Sequence, residues 1–158
     1  LAVLLTSPGV PMLLAGQEWG DDSPRTIDFW PLSWPRLETA GGQAQFACVS
    51  ALVALRRAHP ALRSDFVEYY WDDFARHKVV RYKRWDGRGD VVVVAANFDA
   101  TDRSIGLGFP HDGPWRNALT GDRYTVSGHW HDFTVPAWTA LILFPELPGG
   151  DSATGGTV

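Results

Sequence analysis

The spacing of apolar residues changes near residue 65, and this change limits the fold more than any other feature of the chain. Before it, residues 43–59 carry apolar side chains at helical spacing, with Cys48, Leu52 and Leu55 at positions i, i+4 and i+7. After it, short apolar runs alternate with polar residues and end at glycine, proline or aspartate, which is typical of strands and turns. The sequence therefore predicts an α+β chain in which a helical part precedes an all-β part.

Residues 43–59 form the clearest predicted helix. Phe46, Val49 and Val53 widen its apolar face, as expected of a helix that packs on a core. Cys48 is the single cysteine of the chain, which excludes an internal disulfide. Because Cys48 lies on the apolar face, we expect it to be buried as a small apolar side chain. A second, shorter helix is expected to end at residues 6 and 7, just before Pro8.

Eight short strands are predicted in the second half of the chain. They cover residues 65–71, 78–85, 91–96, 105–109, 115–119, 123–126, 133–135 and 138–144. Val91–Ala96 is apolar throughout, which indicates a strand buried on both faces, and Asp86–Asp90 has the aspartates and glycines of a hairpin loop. Strands at this close spacing predict an antiparallel β sandwich. Residues 146–158 are rich in glycine and predict a disordered tail.

The segment Pro8–Gly20 differs from the rest of the chain in composition. Pro8 and Pro11 prevent a helix from running through it, because proline lacks a backbone donor. Met12–Ala15 is an apolar run too short for a helix, and it predicts a buried strand over residues 11–16. Polar and aromatic residues follow directly, where the strand would end.

Gln17, Glu18 and Trp19 are the candidate substrate-binding residues, because they stand together at the end of this predicted strand. The α/β barrels place their substrate contacts at the carboxyl ends of strands. An alternative stays open on the same residues, in which a core strand runs into an ordinary surface turn and all three side chains are scaffold.

Pro8–Gly20 also resembles the last barrel strand of the α-amylase family (glycoside hydrolase family 13). That strand has a glycine and a proline, then a hydrophobic run, then a glycine and a glutamate; Gly9, Pro11, Gly16 and Glu18 fill this order, with hydrophobic residues between Pro11 and Gly16. The resemblance implies that Glu18 lies at the catalytic face of a barrel, where it holds its neighbours by hydrogen bonds instead of transferring protons.

The resemblance extends along the chain. Leu52–Leu62 is similar to the final barrel helix of the family, and Val91–Phe98 and Val135–Leu143 are similar to its C-terminal β domain. It implies that residues 1–62 are the end of a TIM (β/α)8 barrel and that residues 63–145 are a C-terminal all-β sandwich domain.

The resemblance implies a retaining enzyme with an Asp nucleophile, a Glu acid and a second Asp that binds the sugar, all on earlier barrel strands. Their motifs, of the kinds G-x-R-x-D, G-E and N-H-D, do not occur in this sequence; Asp112 follows Pro110 and His111, and Asp132 follows Trp130 and His131. No catalytic residue is assigned, and we expect the chain to be inactive on its own. Because it begins at Leu1 inside an apolar run, we expect it to be the C-terminal part of a longer protein.

The expected partner is an α-glucan or maltooligosaccharide, bound through that longer enzyme. The alternative is a non-catalytic carbohydrate-binding or structural β domain, in which Trp85, Trp115 or Trp130 stacks on glucose rings. Neither nucleic acid nor a membrane is expected as a partner: the net charge is −4, and no apolar run approaches the about 20 residues that span a bilayer. No signal peptide is visible, which favours a cytoplasmic location.

Neither a metal nor a cofactor is expected. Asp21, Asp22 and Asp28 have oxygen ligands suited to Ca²⁺, but a solvated acidic loop is the favoured interpretation. His129 and His131 have the spacing of zinc ligands on a strand, but no third ligand is close in sequence, so two surface histidines are favoured.

Overall fold

The computed structural model describes three stretches of the chain, residues 1–24, 31–70 and 77–146. Two compact units divide it: Leu1–Val67 with Arg84–Asp90, and Glu68–Lys83 with Val91–Val158. Apart from residue 146, the predicted tail lies outside the described residues. Among the described residues, no helix has both the length and the apolarity needed to cross a membrane.

The described part of the first unit contains three α-helices and two 3₁₀ turns. They are α1 (Ala2–Thr6), a first 3₁₀ turn (Gln17–Trp19), α2 (Trp34–Leu37), α3 (Ala40–Ala58) and a second 3₁₀ turn (Pro60–Arg63). The helix end expected before Pro8 is confirmed by α1. Residues 20–42 are rich in proline, glycine and aspartate, which predicts a long loop. They are only partly a loop, because α2 lies within them; residues 25–30 lie outside the described residues.

Helix α3 confirms the main helix prediction, and it starts three residues earlier than expected. Thr39 caps it, since its hydroxyl accepts a 3.0 Å hydrogen bond from the amide of Gly42. Glycine is needed at position 42 because a Cβ there would lie 2.1 Å from the carbonyl oxygen of Arg36. The chain of α2 therefore passes directly against the first turn of α3.

The buried face of α3 is narrower than the sequence predicts. Val49 and Leu52 are buried, but Phe46 and Val53 are exposed. The prediction of a buried Cys48 is wrong, because its side chain is exposed. Within this unit α3 packs against α1 and both 3₁₀ turns, and these elements cover only one side of the predicted apolar face.

The prediction of a buried strand over residues 11–16 is also wrong. No ladder forms there among the described residues, and Met12 is 83% exposed. The backbone of Leu14 is bound locally instead: its amide donates to Oε1 of Gln17, and its carbonyl accepts from the amide of Gln17, both at 2.9 Å. In a strand, the backbone amide and carbonyl of Leu14 would bond to a neighbouring strand. Here both groups bond to Gln17 within the turn.

Eight strands follow in chain order within the described stretches, as predicted. They are β1 (Val67–Tyr69), β2 (Val79–Trp85), β3 (Val91–Asn97), β4 (Arg103–Gly108), β5 (Gly113–Asn117), β6 (Arg123–Val126), β7 (Trp130–Val135) and β8 (Ala140–Pro145). Six of them form a sheet in the order β1-β2-β3-β8-β5-β6, and β4 pairs with β7 in a second sheet. The four strand pairs β3/β8, β4/β7, β5/β6 and β5/β8 are antiparallel.

The core of the β domain lies between these two sheets. Strand β3 is buried along its whole length, which confirms the prediction from its continuous apolar run. Phe109 contacts Trp115 of the large sheet edge-on, with ring centroids 4.7 Å apart, and it also contacts Phe133 of the small sheet. The predicted α+β class with an antiparallel β sandwich is thereby confirmed.

Candidate functional site

The three candidate residues form the 3₁₀ turn Gln17–Trp19, which two glycines enclose. Gly16 and Gly20 have φ angles of 94° and 73°, in the left-handed region where glycine carries no steric penalty. A Cβ on Gly16 would also lie 2.7 Å from the Cβ of Asp21. These two positions set the path of the turn and thereby the directions of its three side chains.

Asp21 follows the turn, and its amide donates a hydrogen bond to the carbonyl of Gly16. Its carboxylate accepts hydrogen bonds from the amide (2.9 Å) and hydroxyl (2.6 Å) of Ser23 and from the amide of Ser33 (3.2 Å). Asp21 is buried, so the predicted solvated acidic loop is wrong at this residue. It acts as a structural acceptor that ties residues 23 and 33 together.

Trp19 is 4% exposed and stacks on Trp34, with ring centroids 4.9 Å apart. Trp34 is the outer ring of this pair and is largely exposed. From the sequence, the aromatic residues of 20–42, Trp34 among them, either pack on the body of the protein or line a sugar site, with packing favoured. No local pattern pairs Trp34 with Trp19, which lies 15 positions earlier. The stack fixes the indole of Trp19 in place.

Glu18 and Trp19 each present a buried polar atom that has no hydrogen-bond partner among the described residues. These atoms are Oε2 of Glu18 and Nε1 of Trp19. A buried polar group without a partner costs about 1–3 kcal/mol, so such atoms are uncommon in folded proteins. The side chain of Gln17, in contrast, is exposed and is used within the turn by its bond to Leu14.

Arg56 of α3 holds the segment that leads into the turn. Its guanidinium donates 2.9 Å hydrogen bonds to the carbonyl oxygens of Leu5 and Ser7, and another bond to the carbonyl of Gly9. The planar guanidinium suits such multiple contacts. Gln45, which lies nearer the start of the same helix, donates a 3.4 Å hydrogen bond from its side-chain amide to the carbonyl of Gln17.

The residues that the structure describes contain no group of three or more His, Cys, Asp or Glu side chains placed to hold a metal ion. Asp22 pairs with Arg36 at 3.1 Å on the surface, and Asp28 lies outside the described residues. His129 lies in the turn before β7 and His131 lies on β7. The two histidines therefore do not share one strand, as the zinc hypothesis requires.

Residues 71–146 match the family model of the α-amylase C-terminal all-β domain. This segment is therefore an α-amylase-type C-terminal β domain. Similar proteins include the 1,4-α-glucan branching enzyme GlgB of Leifsonia xyli, which is 31% identical over an alignment of 138 residues that covers 81% of this chain and 18% of the relative. The α-amylase MalA of Haloarcula japonica is 32% identical over 146 residues, 90% of this chain and 20% of the relative.

Solved structures share the fold of this chain. An α-amylase from Geobacillus thermoleovorans, complexed with acarbose, aligns with a TM-score of 0.70 at 19% identity over 93% of this chain and 32% of its own. A pullulanase from Anoxybacillus, complexed with maltotetraose, aligns with a TM-score of 0.67 at 18% identity over 91% of this chain and 22% of its own. The chain spans about a fifth of the length of the two curated relatives described above.

The tryptophans considered for stacking on sugar have three different environments. Trp115 is fully buried in the core of the α-amylase-type β domain, so its proposed surface role is wrong. Trp85 stacks on Phe66 at 5.6 Å in the first unit. Trp130 is 54% exposed on the β domain. Sequence reasoning missed that Gly106 of β4 lies beneath its ring; alternating glycines on a strand were the available signal.

Proposed function

We propose that this chain is the C-terminal part of an enzyme that acts on α-glucans. The supporting observation is that its similarity to a branching enzyme and an α-amylase covers 81% and 90% of the chain, well beyond the matched β domain at residues 71–146. The similarity therefore extends into the helical unit. Family-13 chemistry is a double displacement that cleaves or transfers the α-glucosidic bond through a covalent glycosyl intermediate.

In this enzyme the turn Gln17–Trp19 lines one side of the sugar site. Oε2 of Glu18 is a buried acceptor and Nε1 of Trp19 is a buried donor, and neither has a partner among the described residues. Sugar hydroxyls, or side chains that contact them, supply matching groups. The role of Glu18 is to position its partner, because the nucleophile and the acid are contributed by other strands. The role of Gln17 and of the Trp19–Trp34 stack is to hold the turn.

The barrel context also explains the segment before the turn. Val10, Met12 and Leu14 are exposed, although their pattern is that of a buried strand. In a complete (β/α)8 barrel, neighbouring strands pair with such a segment on both sides. We therefore expect residues 11–16 to form a ladder in the longer enzyme and to carry Glu18 to the catalytic face.

The test is to express the gene with its preceding coding sequence and to assay the longer protein on soluble starch and maltoheptaose. We expect turnover by the longer protein and none by the 158 residues alone. Glu18→Gln is expected to lower kcat by about ten- to a hundredfold, within the range of a lost buried charged hydrogen bond, with a smaller effect on KM. Glu38→Gln, an exposed position in the same unit, is the control.

A longer protein that leaves α-glucans intact would contradict the proposal. Turnover by the 158-residue chain would contradict the claim that the catalytic carboxylates are contributed by other segments. A Glu18→Gln enzyme with the kinetics of the wild type would remove Glu18 from the site.

A further inference from the structure

The small sheet of the β domain has one buried face and one outward face. Ile105, Leu107, Phe133 and Val135 point into the core. In the antiparallel register Gly108 pairs with Trp130, Gly106 with Asp132 and Ser104 with Thr134. Because side chains alternate along a strand, these six residues share the outward face. Trp130 is the only large apolar side chain among them.

The ring of Trp130 lies flat on Gly106. A Cβ on Gly106 would lie 2.0 Å from a ring carbon of Trp130, so this contact requires glycine. Nε1 of Trp130 donates a 2.9 Å hydrogen bond to Oδ1 of Asp132. The strand supports one face of the indole and the carboxylate fixes its edge, while 54% of the residue remains exposed.

Two polar side chains are bonded to β4 at the two glycines nearest the Trp130 ring. The hydroxyl of Tyr70 donates a 2.6 Å hydrogen bond to the carbonyl of Gly108, and burial, with a further contribution from the carboxylate of Glu68, raises the pKa of Tyr70 to about 12. The guanidinium of Arg81 donates to the carbonyl of Gly106 and lies 5.9 Å from the Tyr70 ring centroid. Both side chains are thus bonded to the backbone of β4, and the Tyr70 ring lies 3.6 Å from the position that a Cβ on Gly108 would take.

We propose that this surface, the Trp130 platform (Trp130 with Tyr70, Arg81 and Asp132), binds a single α-glucan chain. The choice of α-linked glucose rests on the proposed function. The C–H face of a glucose ring suits a flat exposed indole, and its hydroxyls suit the carboxylate and guanidinium at the rim. A protein partner would need about 800 Å² of surface with an apolar centre, and this face has one large apolar side chain.

Stacking of an aromatic ring on a strand glycine also stabilises a sheet without any ligand. The two roles differ in what a substitution changes. If Trp130 only supports the strand, its removal lowers thermal stability and leaves sugar affinity unchanged. If it is a binding platform, affinity falls as well, and a ring in its place restores binding.

The experiment measures binding of maltoheptaose to the full 158-residue chain by tryptophan fluorescence and by retardation in native gels that contain soluble starch. Trp130→Ala is expected to weaken binding about tenfold or more, and Trp130→Phe, which keeps a flat ring, to stay within about threefold of wild type. Trp138→Ala is the matched control, because Trp138 is 69% exposed on the same domain; it is expected to bind like wild type. Thermal melts confirm that each variant is folded at the assay temperature.

The platform is refuted if the wild-type chain does not bind maltoheptaose, if Trp130→Ala binds as well as wild type, or if cellohexaose, a β-linked glucan, binds equally. Failure here leaves the proposed function intact when the longer protein still turns over starch. Conversely, maltoheptaose binding that depends on Trp130, together with a longer protein inactive on α-glucans, supports the platform and contradicts the proposed enzyme.

Discussion

The guanidinium of Arg84 on β2 donates a 2.6 Å hydrogen bond to the carbonyl oxygen of Thr6, at the end of α1. The same side chain donates to the carbonyls of Phe66 (2.9 Å) and Ser64 (2.5 Å). Arg84 is fully buried. One cation on β2 therefore binds two backbone segments that are distant from it and from each other in sequence, at residue 6 and at residues 64–66.

Replacing Arg84 with methionine is expected to destabilise the first unit by about 3 kcal/mol or more, because carbonyl oxygens that its guanidinium satisfies would remain buried without donors. The measurement is the urea midpoint of the 158-residue chain. Arg88→Met, at an exposed position in the Asp86–Asp90 loop, is the control and is expected to change the midpoint little. Equal midpoints for both variants would show that the buried contacts of Arg84 contribute nothing.

Gly16→Ala is expected to destabilise the Gln17–Trp19 turn. The φ angle of 94° costs an L-residue about 1–2 kcal/mol, and the overlap with Asp21 adds to this. Gly41→Ala is the matched control, because open space surrounds that position in α3; it is expected to stabilise by about 0.5–1 kcal/mol. Thermal melts of both variants make the comparison, and a Gly16→Ala protein as stable as wild type would contradict the turn geometry.

Limited proteolysis is expected to cut residues 1–42 early and to leave residues 65–145 largely intact. Met12 and Leu14 are exposed in a segment without regular structure, whereas β3 and β8 pair along most of their length in the core. Open, unpaired segments are the first to be cleaved. Chymotrypsin fragments identified by mass spectrometry provide the test, and equal protection of both regions would contradict it.

Acid is expected to destabilise the β domain through Asp99 and Asp112. The hydrogen bond from Arg103 lowers the pKa of Asp99, and the amides of His129 and Gly128 lower the pKa of Asp112. A carboxyl with a lowered folded-state pKa contributes stability above its unfolded value of about 3.9. That contribution is lost as the pH falls from there through the lowered folded-state pKa.

The measurement for this effect is the melting temperature between pH 6 and pH 3. Asp99→Asn and Asp112→Asn are expected to melt lower than wild type at pH 6 and to lose less on acidification. Asp65→Asn, at an exposed position in the first unit, is the control and should follow the wild-type curve. Parallel curves for all four proteins would rule out the two carboxylates as the source.

The sequence was sufficient for the local elements whose partners are close in the chain. Helix α3 has its own periodicity, and β2 and β3 are joined by a short loop; both strands were predicted to within one residue and α3 to within three. The family resemblance was likewise readable, because its pattern of glycines, proline and glutamate lies in one short segment. The roles of Gln17, Glu18 and Trp19 in binding substrate remain predictions.

Packing decided what periodicity alone could not. The apolar face of α3 was predicted correctly as a pattern, but only Val49 and Leu52 of the residues discussed have neighbours that bury them, whereas Cys48 does not. Residues 11–16 have the pattern of a strand, yet the turn at Gln17 bonds to Leu14 in place of a partner strand. In both cases burial depends on the surfaces that surround the element.

The sequence by itself determined the order of elements and the α+β class, because helix and strand periods are properties of neighbouring residues. Only the tertiary structure placed Trp34 on Trp19 and Trp130 on Gly106. These contacts join residues 15 and 24 positions apart, and no local pattern specifies which ring meets which backbone. The candidate sites therefore depend on packing between distant segments. The helices and strands that carry them follow from the local spacing of apolar residues.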